Sequence, residues 1–509
     1  LTKPFMSKEA KVGYYFYDLN AKVNYEINNK NRLYASGYFG RDKFGFSSEY
    51  ETTKDEGAIN WGNATGTLRW NHLYNNRTFS NTSVIFSDYQ FGISIKTAYS
   101  GSNYELLYTS GIRDYSVKHD IDFRPNANHT IRGGGQLIYH QFTPSAVVVK
   151  DSYLGEDTTA RTRIGSFENA LYIEDDIKAG PKLRLNPGLR LTHFTAGKKN
   201  YFNAEPRINA SYNIKSDLAL KASYALMNQY IHLLSNTGIG LPTDLWVPSS
   251  DNLKPQQSWQ VATGIAKDYI DRNFSVSVEG YYKEMNNIIS YKEGASFLAI
   301  DDPTQAQAES FSWEKNITSG RGWSYGAEFL LQRKTGKLTG WIGYTLSWTQ
   351  WQFDALNFGR KFWARYDRRH DISVVAIYNI REQNEDHNGV KLSATFIYGT
   401  GNAITLPVAE YDAPVHSPSG QVNSGSGSVS QYTGRNAFRM ASYHRMDIGL
   451  QVTKKMRWWV RTWEFSVYNV YNRMNPFFYY SSTQNNGDVV LKQITLFPFI
   501  PSVSWNIKF

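Results

Sequence analysis

Residues 15–28, YFYDLNAKVNYEIN, restrict the possible folds of this chain more than any other stretch. Tyr15, Tyr17, Leu19, Ala21, Val23, Tyr25 and Ile27 share one parity, and from position 18 onward Asp18, Asn20, Lys22, Asn24, Glu26 and Asn28 take the other. Successive side chains of a strand point to opposite faces, so this segment has one apolar face and one wet face. A half-buried strand in a soluble sandwich keeps such a pattern for about 5 or 6 residues. A strand that crosses a bilayer needs roughly 9 to 11. The longer alternation predicts a spanning strand that projects beyond the hydrocarbon.

The pattern recurs in FNAEPRINASYNI (202–214), LRLNPGLRLT (183–192), FSVSVEGYYK (274–283), VKLSATFIY (390–398) and MDIGLQVTK (446–454). Composition agrees with one large β domain over 1–509. Aromatics make up 15%, with 36 Tyr, 28 Phe and 14 Trp, while the mean hydropathy is −0.50. Many aromatics on a polar chain suit a barrel in which only alternate residues meet lipid. No run of about 18 apolar residues marks a membrane-spanning helix. With no cysteine there is no disulfide framework and no Cys-zinc site. No apolar leader is visible at the start.

The connections sort into two kinds. Short polar turns fall at 28–31, 74–77, 125–129, 179–182, 215–217, 268–272, 334–337, 381–389 and 455–457, and long irregular stretches at 44–57, 144–165, 227–257, 291–320, 352–365, 401–440 and 475–489. Short turns on one rim and long loops on the other characterise outer-membrane barrels. Closure would also pair every backbone amide that faces lipid. About 19 strands are expected, the first over 12–28 and the last over 490–509. Because single-chain bacterial barrels have an even strand number, the odd count leads us to expect that one or more N-terminal strands are missing.

The C-terminal FPFIPSVSWNIKF, with Val503, Trp505, Ile507 and Phe509 on one parity, resembles the closing strand of Gram-negative outer-membrane barrels, and by that resemblance these four residues form the barrel-assembly signal. ALYIEDDI (170–177), LNPGLRL (185–191), AEPRINASY (204–212), LKPQQSWQVATG (253–264), SVEGYYKEMNNIISY (277–291), YGTGNAITLP (398–407) and FSVYNVYNRMNPF (465–477) resemble barrel segments of TonB-dependent transporters, above all the Bacteroidota group with SusC/RagA-like receptors. The resemblance implies a large antiparallel transmembrane β-barrel of the 22-stranded kind in a Gram-negative outer membrane. It implies import of a scarce nutrient such as a siderophore, cobalamin, glycan or peptide. The implied partners are outer-membrane lipid and lipopolysaccharide, the TonB complex acting through an N-terminal plug, and a SusD-like surface lipoprotein. Neither plug nor TonB box is visible in this sequence.

For ligand contact the candidates are Asn228, Gln229, Tyr230, His232, Asp244 and Trp246, within 227–257, and Trp313. Stacking faces beside hydrogen-bonding groups suit sugars, peptides or aromatic chelates; the same residues could instead pack their loop onto its neighbours. Trp348 and Trp351 read as an interfacial aromatic girdle, as do Trp458, Trp459 and Trp463 near a short turn. Lys361, Arg365, Arg368 and Arg369 could meet an anionic glycolipid or substrate, or be solvated charge at a strand end. Glu174, Asp175 and Asp176 read as a turn-proximal acidic cluster, because neighbouring strand residues face opposite ways. The ten His residues lack HExxH spacing, and neither GRGWSYG nor GGGQ opens a helix, so no enzyme, metal site or cofactor is expected. The net charge of +10 comes without a nucleic-acid motif. A structural barrel subunit of a surface complex, importing nothing, is the alternative function.

Overall fold

The structure, a computed structural model, describes residues 10–50, 53–99, 102–151, 156–161, 163–234, 245–293, 313–382, 388–416, 422–483, 489–495 and 497–508. The large antiparallel sheet counts twenty-one of the described strands. Two are short pieces, Glu156–Arg161 laid on His129–Asp151 and Phe362–Trp363 laid on Leu338–Gln352. Setting these aside leaves nineteen long strands, and their positions follow the alternating segments of the sequence. The chain divides into two compact units, one made of 1–209, 225–258 and 286–319, the other of 210–224, 259–285 and 320–509.

In the first unit the strands Ala10–Asn28, Asn31–Tyr50, Thr53–Asn75, Thr78–Tyr99, Ser102–Asn126 and His129–Asp151 pair in sequence order. Three of their connections are the same device. Asn28, Asn75 and Asn126 each accept a hydrogen bond at Oδ1 from the amide two residues on, at 3.0, 2.8 and 2.9 Å. Such an Asx turn reverses the chain without leaving a backbone donor unpaired.

Register then aligns the apolar parity. Val23 lies opposite Ala35, Ala35 opposite Leu68, Leu68 opposite Val84, Val84 opposite Val117 and Val117 opposite Leu137. Val23, Leu68, Val84 and Leu137 are 65, 53, 54 and 59% exposed. A continuous row of open aliphatic side chains on a polar chain is the lipid face of a membrane sheet. The second unit repeats this, with Tyr378, Leu392, Leu450, Phe465 and Val503 in successive register.

Two expectations change. The stretch 44–57 is ladder rather than loop, paired as far as Tyr50 and Thr53, and 401–440 and 475–489 contain the hairpins Pro407–His416 with Val422–Tyr432 and Pro476–Thr483 with Val489–Thr495. Beyond the hydrocarbon both faces are wet, so alternation fades while backbone pairing continues. The expected last strand, 490–509, is two elements: Val489–Thr495 closes that hairpin, and the sheet strand is Ile500–Lys508. Phe497, with φ of 55°, turns the chain between them, and Pro498 follows it without an amide for a ladder.

Candidate ligand site at the long-loop end

The site lies in the first unit and starts from a row of inward side chains. Asn63 is opposite Tyr89, and Tyr89 opposite Ile112, on adjacent strands. Above this row the chain leaves Leu218–Gln229 and forms a small hairpin, Ile231–Leu234 paired with Leu245–Pro248. One face of the hairpin is apolar: Leu234, Leu245 and Val247 are buried in a cluster with Phe91, Ile93 and Tyr108 of the sheet. Burying three such side chains contributes on the order of 5 kcal/mol, enough to hold a short hairpin against the wall. Its other face, Ile231, Leu233 and Trp246, fronts a cavity of about 680 Å³ completed by Asn63, Tyr89, Ile112, Glu168, Asn228, Gln229 and Tyr230.

Polar bonds fix the entry to the hairpin. The Tyr230 ring stacks on Phe194 at 4.8 Å and 6°. Its hydroxyl lies 2.5 Å from Thr192 Oγ1 and accepts from Asn203 Nδ2 at 2.8 Å. Asn228 donates from both its backbone and its side-chain amide to Glu205, and its Oδ1 accepts from Gln257. Glu168 faces His140 Nε2 at 3.6 Å and an Arg190 guanidinium at 3.7 Å, so this carboxylate, the only one of the lining among the described residues, is partly neutralised from behind.

The expected contact residues divide. Asn228, Gln229, Tyr230 and Trp246 line the cavity. His232 does not: it is fully buried on the far face of the hairpin, with Nε2 2.9 Å from Ser249 Oγ. Burial pushes its imidazole pKa down to about 4, because the charged form loses its water. Trp313 packs against the apolar cluster. Asp244 lies outside the described residues. Sequence reasoning missed Asn63, Tyr89, Ile112 and Glu168, which are ordinary inward residues until register gathers them.

The family model for TonB dependent receptor-like β-barrels matches residues 7–472. The chain belongs to that family. Solved structures agree in fold. This TonB-dependent receptor barrel aligns with BauA, the ferric preacinetobactin receptor of Acinetobacter baumannii, at a TM-score of 0.55 and 10% identity, covering 98% of this chain and 79% of that one. It aligns with the ferric-catecholate import receptor Fiu of E. coli K12 at 0.56 and 11%, covering 98% and 80%. For the ferripyoverdine receptor of Pseudomonas aeruginosa the values are 0.54 and 12%, covering 98% and 70%. No curated protein matches in sequence. The receptor is a multi-pass β-barrel of a Gram-negative outer membrane.

Other sequence features of the receptor now have places. In Glu174–Asp176 the outer two acids are ion-paired, Glu174 near Arg132 and Arg207, and Asp176 with Arg184, while Asp175 meets His129 on the opposite face. Val503, Trp505 and Ile507 stand opposite Phe465, Trp463 and Arg461, and Trp505 stacks on Trp463 at 6.0 Å. Phe509 lies outside the described residues. Exposed Trp458 sits beside the short turn that precedes Val460–Tyr468, as a girdle residue would.

Proposed function

We propose that this receptor imports a scarce nutrient that it first binds in the cavity behind the Ile231–Leu234 hairpin. The observation that carries the reading is the convergence there of aromatic faces, Tyr89, Tyr230 and Trp246, with the amides of Asn63, Asn228 and Gln229. Rings supply apolar stacking area, and amides fix orientation by hydrogen bonds, which is how compact polar ligands are held. The ligands named for BauA and Fiu make ferric chelates the first substrates to try; cobalamin, glycans and peptides are the others. In this reading TonB drives release through a plug domain N-terminal to the barrel, and the receptor is of the SusC/RagA-like kind, with a SusD-like lipoprotein over its long-loop end. Both of these rest on the resemblance of the sequence motifs.

The test is uptake in a strain whose only receptor of this family is this one, supplied with single ferric chelates, cobalamin or oligosaccharides. One compound should enter in a TonB-dependent manner, and Trp246→Ala should weaken its binding about tenfold, the cost of removing a buried aromatic anchor. Unchanged binding by Trp246→Ala would place the ligand elsewhere.

A further inference from the structure

The lining of the cavity behind the Ile231–Leu234 hairpin has a charge pattern that discriminates among nutrients. Its polar members are the amides of Asn63, Asn228 and Gln229, the rings of Tyr89, Tyr230 and Trp246, and the carboxylate of Glu168. Among the described residues no lysine, arginine or histidine lines it. A cavity without a cation has nothing to offset the lost hydration of an anionic ligand. The one carboxylate it does show adds repulsion to that cost.

Glu168 belongs to a chain of charges on the inner wall. Asp114 lies 2.7 Å from His140 Nδ1, Glu168 lies 3.6 Å from His140 Nε2 and 3.7 Å from Arg190, and Arg190 approaches Glu205 at 3.9 Å. Three carboxylates thus share one guanidinium and one imidazole. Nearer the short turns, Asp122 and Glu174 face Arg132 and Arg207, two acids to two bases. The wall is balanced there, and the surplus of acid falls at the level of the cavity.

The acids differ in what they have left to offer. Glu205 accepts from both amides of Asn228. In the second unit Asp367 is saturated: it pairs with Arg369 at 3.5 Å and with Arg439, and it accepts from the Thr349 amide. Glu168 is different, because its two basic neighbours stand outside hydrogen-bond reach. His140, only 2% exposed, is left with Nε2 unpartnered on that side. A carboxylate on a cavity wall whose cations stand back can accept a charge-assisted hydrogen bond from a ligand, and aromatic faces in the same lining favour a cation.

We infer that the cavity recognises its ligand through a protonated amine that donates to Glu168 beside Tyr89, Tyr230 and Trp246, and that it rejects polyanionic chelates. Glu168 is then the residue that sets specificity. This selectivity rests on the cavity being the nutrient site, and it narrows the substrate: amine-bearing chelates, amino sugars and peptides with a free N-terminus fit, whereas tris-catecholates and carboxylate-rich chelates do not.

The test uses the intact receptor in a neutral detergent, titrated with three pairs of probes and with a ferric tris-catecholate. The pairs are a ferric tris-hydroxamate carrying a primary amine, a glucosamine tetramer and a C-terminally amidated tetrapeptide, each beside its N-acetylated form. In at least one pair the amine form should bind about tenfold or more tightly, the effect of one ion pair in a site of protein-like dielectric after screening, and the tris-catecholate should bind more weakly than that amine. Glu168→Gln should bring the two forms within about twofold of each other, while Glu174→Gln, in the balanced row, should keep the preference. The preference is a ratio within one sample, so partial misfolding does not imitate its loss, and heat-modified gel migration confirms that each variant is folded. Equal binding of both forms in every pair, or a preference that survives Glu168→Gln while Trp246→Ala weakens binding, overturns this assignment alone. Binding that neither Trp246→Ala nor Glu168→Gln alters overturns the cavity as the nutrient site as well.

Discussion

The two units spend the same alternation differently at their long-loop ends. In the first, strands run 19 to 25 residues from Ala10 to Asp151, well beyond the 9 to 11 a bilayer needs, and the inward hairpin is held by apolar burial. In the second, the strands Leu338–Gln352, His370–Arg381, Gly389–Gly399 and Tyr443–Lys455 have only 11 to 15 residues. Their loops are tied down by charge and amide bonds: Asp367 accepts from the Thr349 amide at 2.6 Å, and Asn436 Nδ2 donates to the Trp363 carbonyl at 2.8 Å. The lesson is that a membrane sheet can end its outer rim either by extending the ladder or by neutralising a buried acid, and the two should fail differently.

The largest difference should come from Asp367→Ala. It leaves Arg369 and Arg439 facing each other without a counter-charge, and breaking a buried pair costs on the order of 3 to 5 kcal/mol. The heat-modified band should collapse at a clearly lower temperature, and a shift of only a degree or two would mean that solvent already screens the arginines. Next comes Leu234→Ala. Removing a fully buried leucine costs about 2 to 4 kcal/mol, and hydrogen exchange should speed up over 231–248 while the ladder of 53–126 stays protected. Loss of protection throughout would show that the hairpin is a keystone rather than an addition.

The third prediction concerns pH. His232 is held neutral, its pKa lowered to about 4 by burial, against about 6.5 when unfolded. Between these values the open hairpin binds the extra proton, so its stability is full above about pH 6.5 and falls as pH drops towards 4. Exchange over 231–248 should accelerate across that window, and His232→Gln should remove the dependence. The smallest effect belongs to Tyr230→Phe, which keeps the stack on Phe194 but loses the bonds to Thr192 and Asn203. A cost of about 1 kcal/mol in stability is expected from denaturant titration; a cost above about 3 would mean the hydroxyl organises more than the hairpin entry.

How much of this was legible in the sequence depends on distance from the bilayer. Val23, Leu171, Leu189 and Val503 announce their face by parity because lipid permits nothing else there. At 44–57 that constraint is gone, and Phe44, Gly45 and Phe46 beside Ser47 and Ser48 look irregular although they are fully paired. Tyr230 and Trp246 stand out in the sequence because polar and aromatic residues crowd one loop. Glu168 does not, because one inward acid among many acquires a place in the cavity only when strand register brings it there beside Asn63, Tyr89 and Ile112. Asp367 was hidden for the same reason: its partner Arg439 is seventy-two residues away.

The membrane face itself can be measured without background, since the chain has no cysteine. Single-cysteine variants from 166 to 176, spin-labelled and placed in lipid bilayers, report collisions with oxygen and with a water-soluble nickel chelate. Labels at 167, 171 and 173 should meet oxygen and exclude nickel, those at 168, 170, 172 and 174 the reverse, with a period of two. Equal accessibility along the strand, or nickel reaching 171 and 173 as readily as 172, would contradict the sheet's having one lipid face and one water face.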